Sequence, residues 1–383
     1  MPNPLACLTP VLELLAENLK ILPATGGAVE ELQHPEVDEI EDVLINREIG
    51  EITDFAETPT PSLRSLYRPT PPLFRKDRHL FRFFVDGSLR TYYLATGVEG
   101  RRSFPIQLAQ VGAAAMERDA EGRVRCLQCQ HRILLLVPTR EHGLSDTLWQ
   151  KLERLRIPGV FEPVDIIKKT SLTPREPAED DLRNRAGGIA RHRMHQLEID
   201  LIAHTDAQRN ENSWLILDGA VKLDDFIAAP YLIGVAKSFR KDPQFRFGGH
   251  SSARRDITSI LAGLEFAHRT AAFSAYDGKV AFWYVRLRPQ EELDYPLMGV
   301  VKVELPRPDG SPVDAELADT LSRALVAERN VTPYGRDRRW HCHLYPIYLA
   351  EQTIKNRFYS SQVLLGAIRW PRLAQWQDEE AIL

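Results

Sequence analysis

The chain has 383 residues, of which 43% are hydrophobic and 27% are charged, with a formal net charge of −4. These proportions are typical of a folded protein with one large or two modest domains, and they exclude a largely disordered chain. The net charge excludes a polycation that binds nucleic acid over its whole surface, so any nucleic-acid contact has to be local.

The cysteine content and the apolar runs bear on location. Four cysteines, spread from Cys7 to Cys342, are too scattered for a disulfide framework. The first residues lack the basic and then apolar pattern of an export signal. The purely apolar runs, such as Ile133 to Val137, are far shorter than the ~20 residues that cross a bilayer. We therefore expect a cytoplasmic protein without membrane contact.

The first 76 residues predict a helix followed by an extended connector. A leucine recurs every three or four residues over 3–22, which predicts an amphipathic helix that either covers the core or docks on a partner. Five prolines between Glu57 and Lys76 exclude regular helix and predict a connector. We divide the chain into this arm (1–76), a main domain (77–372) and a C-terminal tail (373–383).

In the main domain, apolar runs that predict strands alternate with runs that predict helices. The predicted strands are Leu80–Val85, Arg90–Thr96, Arg123–Cys129, Ile133–Val137, Trp214–Leu217, Tyr231–Ala236, Val280–Leu287 and Met298–Glu304. The predicted helices are Pro105–Met116, Asn184–His204, Ile257–Ala267, Asp314–Ala327 and Ile347–Val363. This order favours an α/β fold with one mixed sheet flanked by helices.

Two predicted strands end in the same dipeptide. The run to Val85 continues into Asp86-Gly87, and the run to Leu217 continues into Asp218-Gly219. A strand that is apolar on both faces and ends in a carboxylate, followed by a glycine that lets the chain turn, can present that acid to a ligand. If the strands are parallel neighbours, ~4.8 Å apart, the two aspartates reach one divalent metal ion. The alternative is that each Asp-Gly forms only a turn.

A third carboxylate lies on the helix that precedes the second of these strands. Glu198 borders the apolar stripe of that helix, which comprises Ala190, Met194, Leu197 and Leu201. A charged group at the edge of a core is costly unless it is paired or binds metal, so Glu198 is a candidate ligand. An ion pair with Arg191 or Arg193 is the alternative.

Three carboxylates of this kind are the usual apparatus of two-metal phosphodiester hydrolysis. The sequence has no Gly-x-Ser-x-Gly elbow, no His-Glu-x-x-His and no Gly-x-x-x-x-Gly-Lys loop. A metal-dependent hydrolase therefore needs no protein nucleophile here, and any ATP-driven movement has to come from a partner.

Six short motifs, in a shared order between about residues 78 and 370, resemble the NurA family of nucleases. They are Phe-Val-Asp-Gly-Ser at 84–88, Leu-Asp-Gly at 217–219, Ile-Gly-Val-Ala-Lys-Ser at 233–238, Trp-Tyr-Val-Arg-Leu at 283–287, Val-Glu-Leu-Pro at 303–306 and Tyr-Pro-Ile-Tyr-Leu at 345–349. The resemblance implies an RNase H-like fold and a manganese- (or magnesium-) dependent nuclease that acts on DNA ends and single strands. It also implies a homodimer that docks on a HerA-type hexameric ATPase, in DNA end resection or antiviral defence.

The resemblance assigns roles to individual positions. Asp86 and Asp218 match the metal-binding aspartates of the family, and Glu198 is the best match for its helical glutamate. Lys237 matches a recurrent lysine that could meet phosphate, and Tyr345 matches a late tyrosine. Besides Lys237 and Tyr345, we expect Arg191 and Arg240, from the basic runs of the chain, to contact DNA.

One family feature is missing, because no histidine follows His343. The family usually has a histidine about two turns after the late tyrosine. Here Glu351 could supply the fourth ligand, His343 or His341 could reach the site from the preceding loop, or catalysis is weakened.

Other interpretations remain open. Cys126 and Cys129, with His131 and the His341–His343 segment, could form a zinc site. The chain could also be a catalytically weakened dimeric adaptor that clamps DNA for the ATPase. A nuclease guided by nucleic acid would need a guide-end pocket, for which the sequence carries no signal.

Overall fold

The structure is a computed structural model that describes residues 4–24, 30–32, 51–52, 55–61, 66–74, 79–167, 179–221, 226, 228–239, 244–246, 254–290, 297–331 and 340–371. The α-helices are α1 (Leu8–Asn18), α2 (Asp146–Glu153), α3 (Glu179–His204), α4 (Ile257–Ala262), α5 (Ala315–Ala327), α6 (Tyr345–Lys355) and α7 (Ser361–Ala367). Short 3-10 helices cover Pro4–Cys7, Arg140–His142, Asp206–Gln208 and Trp340–Cys342. The proposed C-terminal tail, 373–383, lies outside the described residues.

The strands in chain order are β1 (Lys20–Pro23), β2 (Glu30–Leu32), β3 (Glu51–Ile52), β4 (Glu57–Thr58), β5 (Tyr67–Pro69), β6 (Phe81–Glu99), β7 (Arg102–Arg118), β8 (Val124–Val137), β9 (Phe161–Asp165), β10 (Trp214–Asp218), β11 (Leu232–Ala236), β12 (Gln244–Arg246), β13 (Arg254–Asp256), β14 (His268–Thr270), β15 (Phe273–Ala275), β16 (Val280–Arg286), β17 (Val300–Pro306) and β18 (Val313–Asp314). Most of them join one large mixed sheet, which confirms the predicted α/β architecture.

The main sheet has the strand order β5-β14-β16-β17-β11-β10-β6-β7-β8-β9. Strands β6, β7 and β8 form an antiparallel meander. On the other side of β6, β10 runs parallel to β6 and β11 runs parallel to β10. Strand β17 then pairs antiparallel with β11, and β16 pairs antiparallel with β17. Parallel and antiparallel pairs thus meet at β6.

Helices cover both faces of the sheet. Successive side chains of a strand point to opposite faces. On one face, Phe84 of β6 and Ile216 of β10 pack in a core with α5 and α6, and we call this the α5/α6 face. On the other, Val85 and Leu217 pack in a core with α3, and we call this the α3 face. Each strand of the sheet centre is therefore apolar on both sides, as its sequence predicted.

Two predictions about the meander are wrong. Residues 105–116 form the centre of strand β7 and no helix, because their backbone pairs with β6 and β8 and their side chains are buried on both faces of the sheet. Tertiary pairing here overrides the helix propensity of the alanine-rich run Ala113–Ala115. The strand pairs predicted around residues 86–89 and 130–132 are single continuous strands, β6 and β8.

The remaining elements follow the predictions more closely. The helix predicted over 184–204 and the strands near 214–217, 231–236, 280–287 and 298–304 are present. The helix predicted at 257–267 ends at Ala262, and the last predicted helix is divided into α6 and α7. The division arises because Ser360 caps α7, where its hydroxyl accepts a hydrogen bond from the Val363 N–H.

The N-terminal arm is anchored to the sheet. The leucines of the 3–22 stripe are buried against the second half of β6 and the ends of β7 and β8, which is the core-covering arrangement. Strands β1 and β2 pair with the same half of β6. Within the described ranges, no helix combines the length and the apolar character needed to cross a membrane.

A buried charge network anchors the connector. The guanidinium of Arg269, on β14, donates hydrogen bonds to Glu57 of β4 at 2.8 and 3.0 Å and to Asp319 of α5 at 2.6 Å. The side chains of Arg269 and Glu57 are both fully buried. A buried ion is stable only when its partners are in place, so this network fixes the connector against the sheet and α5.

We expect Glu57→Gln to lower the free energy of unfolding by about 3 to 5 kcal/mol, because it leaves the buried Arg269 guanidinium without its main counter-charge. Urea unfolding followed by circular dichroism measures this change. Glu121→Gln, which removes an exposed carboxylate paired with Arg123, is the control and should leave the unfolding midpoint unchanged. Equal midpoints for all three proteins would contradict the anchoring role.

Candidate functional site

The two predicted aspartates lie side by side. In the parallel pairing of β10 with β6, Ile216 is opposite Phe84 and Leu217 is opposite Val85. The next positions along these strands are Asp218 and Asp86. Neighbouring strands are about 4.8 Å apart, so the register brings together two acids that are 132 residues apart in the sequence.

Strand alternation also decides which face the acids occupy. Asp86 lies two residues after Phe84, and Asp218 lies two residues after Ile216. Because residues two apart on a strand point to the same face, both acids belong to the α5/α6 face. The prediction that Asp86-Gly87 forms a turn is wrong, because β6 continues through it to Glu99. Asp218, in contrast, ends β10, and the φ of +106° at Gly219 shows that glycine is needed there.

Lys237 lies in the same cluster. It directly follows β11, on the face of Val235, and its Nζ is 2.6 Å from Oδ2 of Asp218. The side chains are 11% and 17% exposed, so the ion pair is largely shielded from water. Burial lowers the pKa of Lys237, but the attraction of the neighbouring carboxylates raises it above the ordinary value, which keeps the ammonium charged.

Asp86 is the most perturbed group of the site. Burial raises its pKa well above the usual range, Asp218 raises it further, and Lys237 opposes both effects. Glu351 and Glu198 add smaller increases of the Asp86 pKa. The residue is only 7% exposed, and within the described part of the chain no group donates a hydrogen bond to its carboxylate. A desolvated carboxylate in this situation calls for a cation.

Glu351 comes to the site on α6, which packs closely on β7. A Cβ added at Gly112 of β7 would lie 2.7 Å from Cγ2 of Ile354 on α6, so only glycine allows this approach. Glu351 also forms an ion pair with Lys355, one turn further along α6. Among the three candidates for the fourth ligand, Glu351, His343 and His341, the charge of Glu351 raises the pKa of Asp86.

Glu198 reaches β6 from the opposite face of the sheet. A Cβ at Gly87 would lie 2.6 Å from its Oε1, so the carboxylate lies against the backbone next to Asp86. Its Oε2 is 2.9 Å from Nδ1 of His195, one turn earlier on α3, and both side chains are buried. The alternative partner Arg193 instead pairs with Glu162 at 3.2 Å.

His195 is a residue that the sequence reasoning missed. The available signal was the i, i+3 spacing of His195 and Glu198, which brings two side chains together on one helix face. Its ring also packs edge-on against Phe226, at 5.1 Å between centroids. The helix thereby holds Glu198 between a histidine and the glycine of β6.

Of the other predicted residues, Tyr345 and Arg191 lie on helices α6 and α3, His343 precedes α6, and Arg240 is not among the described residues. Tyr345 begins α6, where it stacks with Tyr348 and lies under the guanidinium of Arg329 at 4.7 Å. Arg191 is buried on α3, and Arg240 lies outside the described residues. His343 is buried before α6, and no described interaction joins it to Asp86. DNA contacts of these residues stay predictions.

The two cysteines of the predicted zinc site lie on one strand, but the described residues form no metal-binding cluster with them. Cys126 and Cys129 lie on β8 around an irregularity in its pairing with β7, and burial raises the pKa of both thiols. Burial also lowers the pKa of His131 to about 4. In the arrangement that the described residues show, no three His, Cys, Asp or Glu side chains are close enough to hold a metal ion.

The acid cluster nevertheless has the donor chemistry for a hard divalent cation. Carboxylate oxygens are the ligands that Mn²⁺ and Mg²⁺ prefer, and Asp86 offers a nine-tenths buried carboxylate that accepts no hydrogen bond from the described residues. Asp86 and Asp218 would hold the ion, with Glu351 as a further donor. The cation now in contact with Asp218 is the ammonium of Lys237.

In comparisons with known proteins, the sequence matches no protein-family model and no curated protein. The function has to be argued from the residues and their geometry.

We expect Asp86→Asn to raise the free energy of unfolding at pH 7 by about 1 to 3 kcal/mol, because it replaces a carboxyl whose ionisation is disfavoured by burial and like charges in the folded state. A carboxyl whose pKa is raised by folding binds its proton more tightly in the folded state. It therefore favours folding below its unfolded pKa, near 4, and this contribution is lost as the pH rises through the raised folded pKa.

The stability gain of the Asp86→Asn variant should consequently be small near pH 4 and grow as the pH rises. Urea unfolding at a series of pH values measures the difference. A difference that is independent of pH, or that shrinks as the pH rises, would contradict the assignment.

Proposed function

We propose that the chain is a divalent-metal-dependent nuclease that hydrolyses phosphodiester bonds of DNA. The observation that carries this proposal is the pair Asp86 and Asp218, which adjacent parallel strands bring to one face of the sheet. The Asp86 carboxylate is buried and has no hydrogen-bond donor among the residues that the structure describes. Acids in such a pair suit metal-assisted hydrolysis, in which no protein nucleophile is required.

The topology around the acids supports the same proposal. The central strands lie in the order β8-β7-β6-β10-β11. Strands β8, β7 and β6 are antiparallel neighbours, and β10 and β11 both run parallel to β6. This order supports the RNase H-like fold that the resemblance implies, and the acids lie where β10 joins the meander. It agrees with the NurA-like motifs, which carry the further proposals of a homodimer and of a HerA-type ATPase partner.

The acids and Lys237 have different roles in the proposed reaction. Asp86 and Asp218, joined by Glu351, would bind Mn²⁺ or Mg²⁺, and the ion would stabilise the charge that develops on the phosphate during hydrolysis. Lys237 keeps its proton on Nζ, so its ammonium can donate a hydrogen bond to a phosphate oxygen. Gly87 and Gly112 let α3 and α6 approach closely enough to add Glu198 and Glu351 to the field of the site.

Incubation of end-labelled single-stranded DNA with Mn²⁺ tests the proposal. We expect cleavage by the wild type, and a loss of rate of more than about 100-fold in Asp86→Asn and Asp218→Asn, because even groups that only support metal ligands are worth ~10–100-fold. Asp309→Asn, at an exposed loop aspartate, is the matched control and should cleave at the wild-type rate.

Two outcomes would refute the nuclease. One is equal cleavage by the wild type and Asp86→Asn, which would indicate a contaminating enzyme. The other is DNA binding without cleavage, even with a HerA-type ATPase present, which is the result expected of the DNA-clamping adaptor.

A further inference from the structure

The cation of the acid cluster is part of the chain. Lys237 contacts Asp218, whereas Asp86 has no described donor. The other acids near the cluster have partners of their own, since Glu351 pairs with Lys355 and Glu198 with His195. With both carboxylates ionised, Asp86, Asp218 and Lys237 together carry a net charge of −1.

On the basis of the proposed function, we propose that Lys237 is a resident counter-ion that a divalent metal ion displaces. In the metal-free protein the ammonium holds Asp218. When the metal ion binds, Lys237 leaves Asp218 and donates its hydrogen bonds to the phosphate of the substrate.

The exchange follows from the contact itself. Nζ of Lys237 lies at hydrogen-bond distance from Oδ2 of Asp218, so a metal ion at this oxygen would meet a like charge a few ångströms away. The pair is shielded from water, which strengthens this repulsion. In the arrangement with Lys237 on Asp218, the described residues form no group of three ligands. Metal binding and the Lys237–Asp218 contact therefore compete.

The lysine side chain is suited to this movement. An ammonium on a flexible four-carbon stem can change partners without a change in the backbone. Lys237 follows the end of β11, beside the carboxyl end of β10, so a released ammonium stays at the edge where the two acids lie. The sum of Asp86, Asp218, Lys237, one divalent ion and one phosphodiester charge is zero, so the loaded site is neutral.

A second lysine shows what a purely structural pair looks like in the same sheet. Nζ of Lys302, on β17, is 2.6 Å from Oε1 of Glu304, and these side chains are 12% and 3% exposed. The other oxygen of Glu304 accepts a hydrogen bond from the Val221 N–H, so this carboxylate is satisfied on both sides. The length and burial of the two ion pairs match, but Lys237 differs in having beside it an acid, Asp86, that accepts no hydrogen bond from the described residues.

The test compares Mn²⁺ binding, without DNA, by the wild type, Lys237→Met and Lys302→Met. Electron paramagnetic resonance of free Mn²⁺ gives the dissociation constants. We expect Lys237→Met to bind Mn²⁺ at least about tenfold more tightly than the wild type, since the competing charge is gone, and Lys302→Met to bind like the wild type. Unchanged or weaker binding by Lys237→Met would overturn the proposal.

Lys237→Gln guards against misfolding, because its amide can donate to Asp218 without a charge, and it should also bind Mn²⁺ more tightly. Lys237→Arg keeps the charge and should stay near the wild-type affinity. Circular dichroism checks that each variant is folded. If Lys237→Gln binds more weakly than Lys237→Arg, the lysine supports the metal ligands and does not compete with the ion.

The proposed transfer of Lys237 to the phosphate is tested by measuring oligonucleotide binding. A fluorescein-labelled single-stranded phosphorothioate oligonucleotide, titrated at saturating Mn²⁺, should bind about tenfold more weakly to Lys237→Met than to the wild type, despite the tighter metal. Equal affinity would overturn the transfer of Lys237 to phosphate.

The two proposals can fail separately. Tighter Mn²⁺ binding by Lys237→Met without DNA cleavage by the wild type would refute the nuclease and leave the exchange. Cleavage by the wild type with unchanged Mn²⁺ binding by Lys237→Met would refute the exchange alone.

Discussion

The candidate site depends on the parallel pairing of β10 with β6. This pairing sets two carboxylates next to each other on a face that α5 and α6 shield from water. Like charges in such a place raise the free energy of the folded state, and the chain reduces this cost with one buried lysine. The arrangement remains one positive charge short of neutrality. That deficit, more than any motif, is the physical reason to regard the cluster as a binding site for a cation.

Two glycines on neighbouring strands admit the remaining acids from opposite sides of the sheet. At Gly87 the missing side chain makes room for Glu198 of α3, and at Gly112 it makes room for Ile354 of α6, the helix that carries Glu351. The glycines therefore act as contact points for helices in the middle of long strands. Their role is steric and differs from that of Gly219, where a positive φ ends the strand.

The sequence predicted the acids well and their surroundings poorly, for physical reasons. Apolar runs before Asp86 and Asp218 identified both strands, because a short, nearly continuous apolar run is typical of a strand buried on two faces. The same local view interpreted Asp86-Gly87 as a turn and residues 105–116 as a helix, since β7 is defined only by its long neighbours. The Lys237–Asp218 contact and the approach of Glu351 depend on tertiary packing, which no local spacing encodes.

Strand β6 serves two regions of the protein, and an irregularity lies in the second of them. Its first half carries Asp86 and pairs with β10, whereas its second half pairs with β2 and β1. The pairing with β7 shifts by one residue between Tyr93 and Ala95, after the residues that pair with β2 and before those that pair with β1. A one-residue slip inverts the facing of every side chain beyond it, and a bulge at this point confines such an error to the end of β6 that pairs with β1. A change of register between β1 and β6 therefore leaves Asp86 facing its partner.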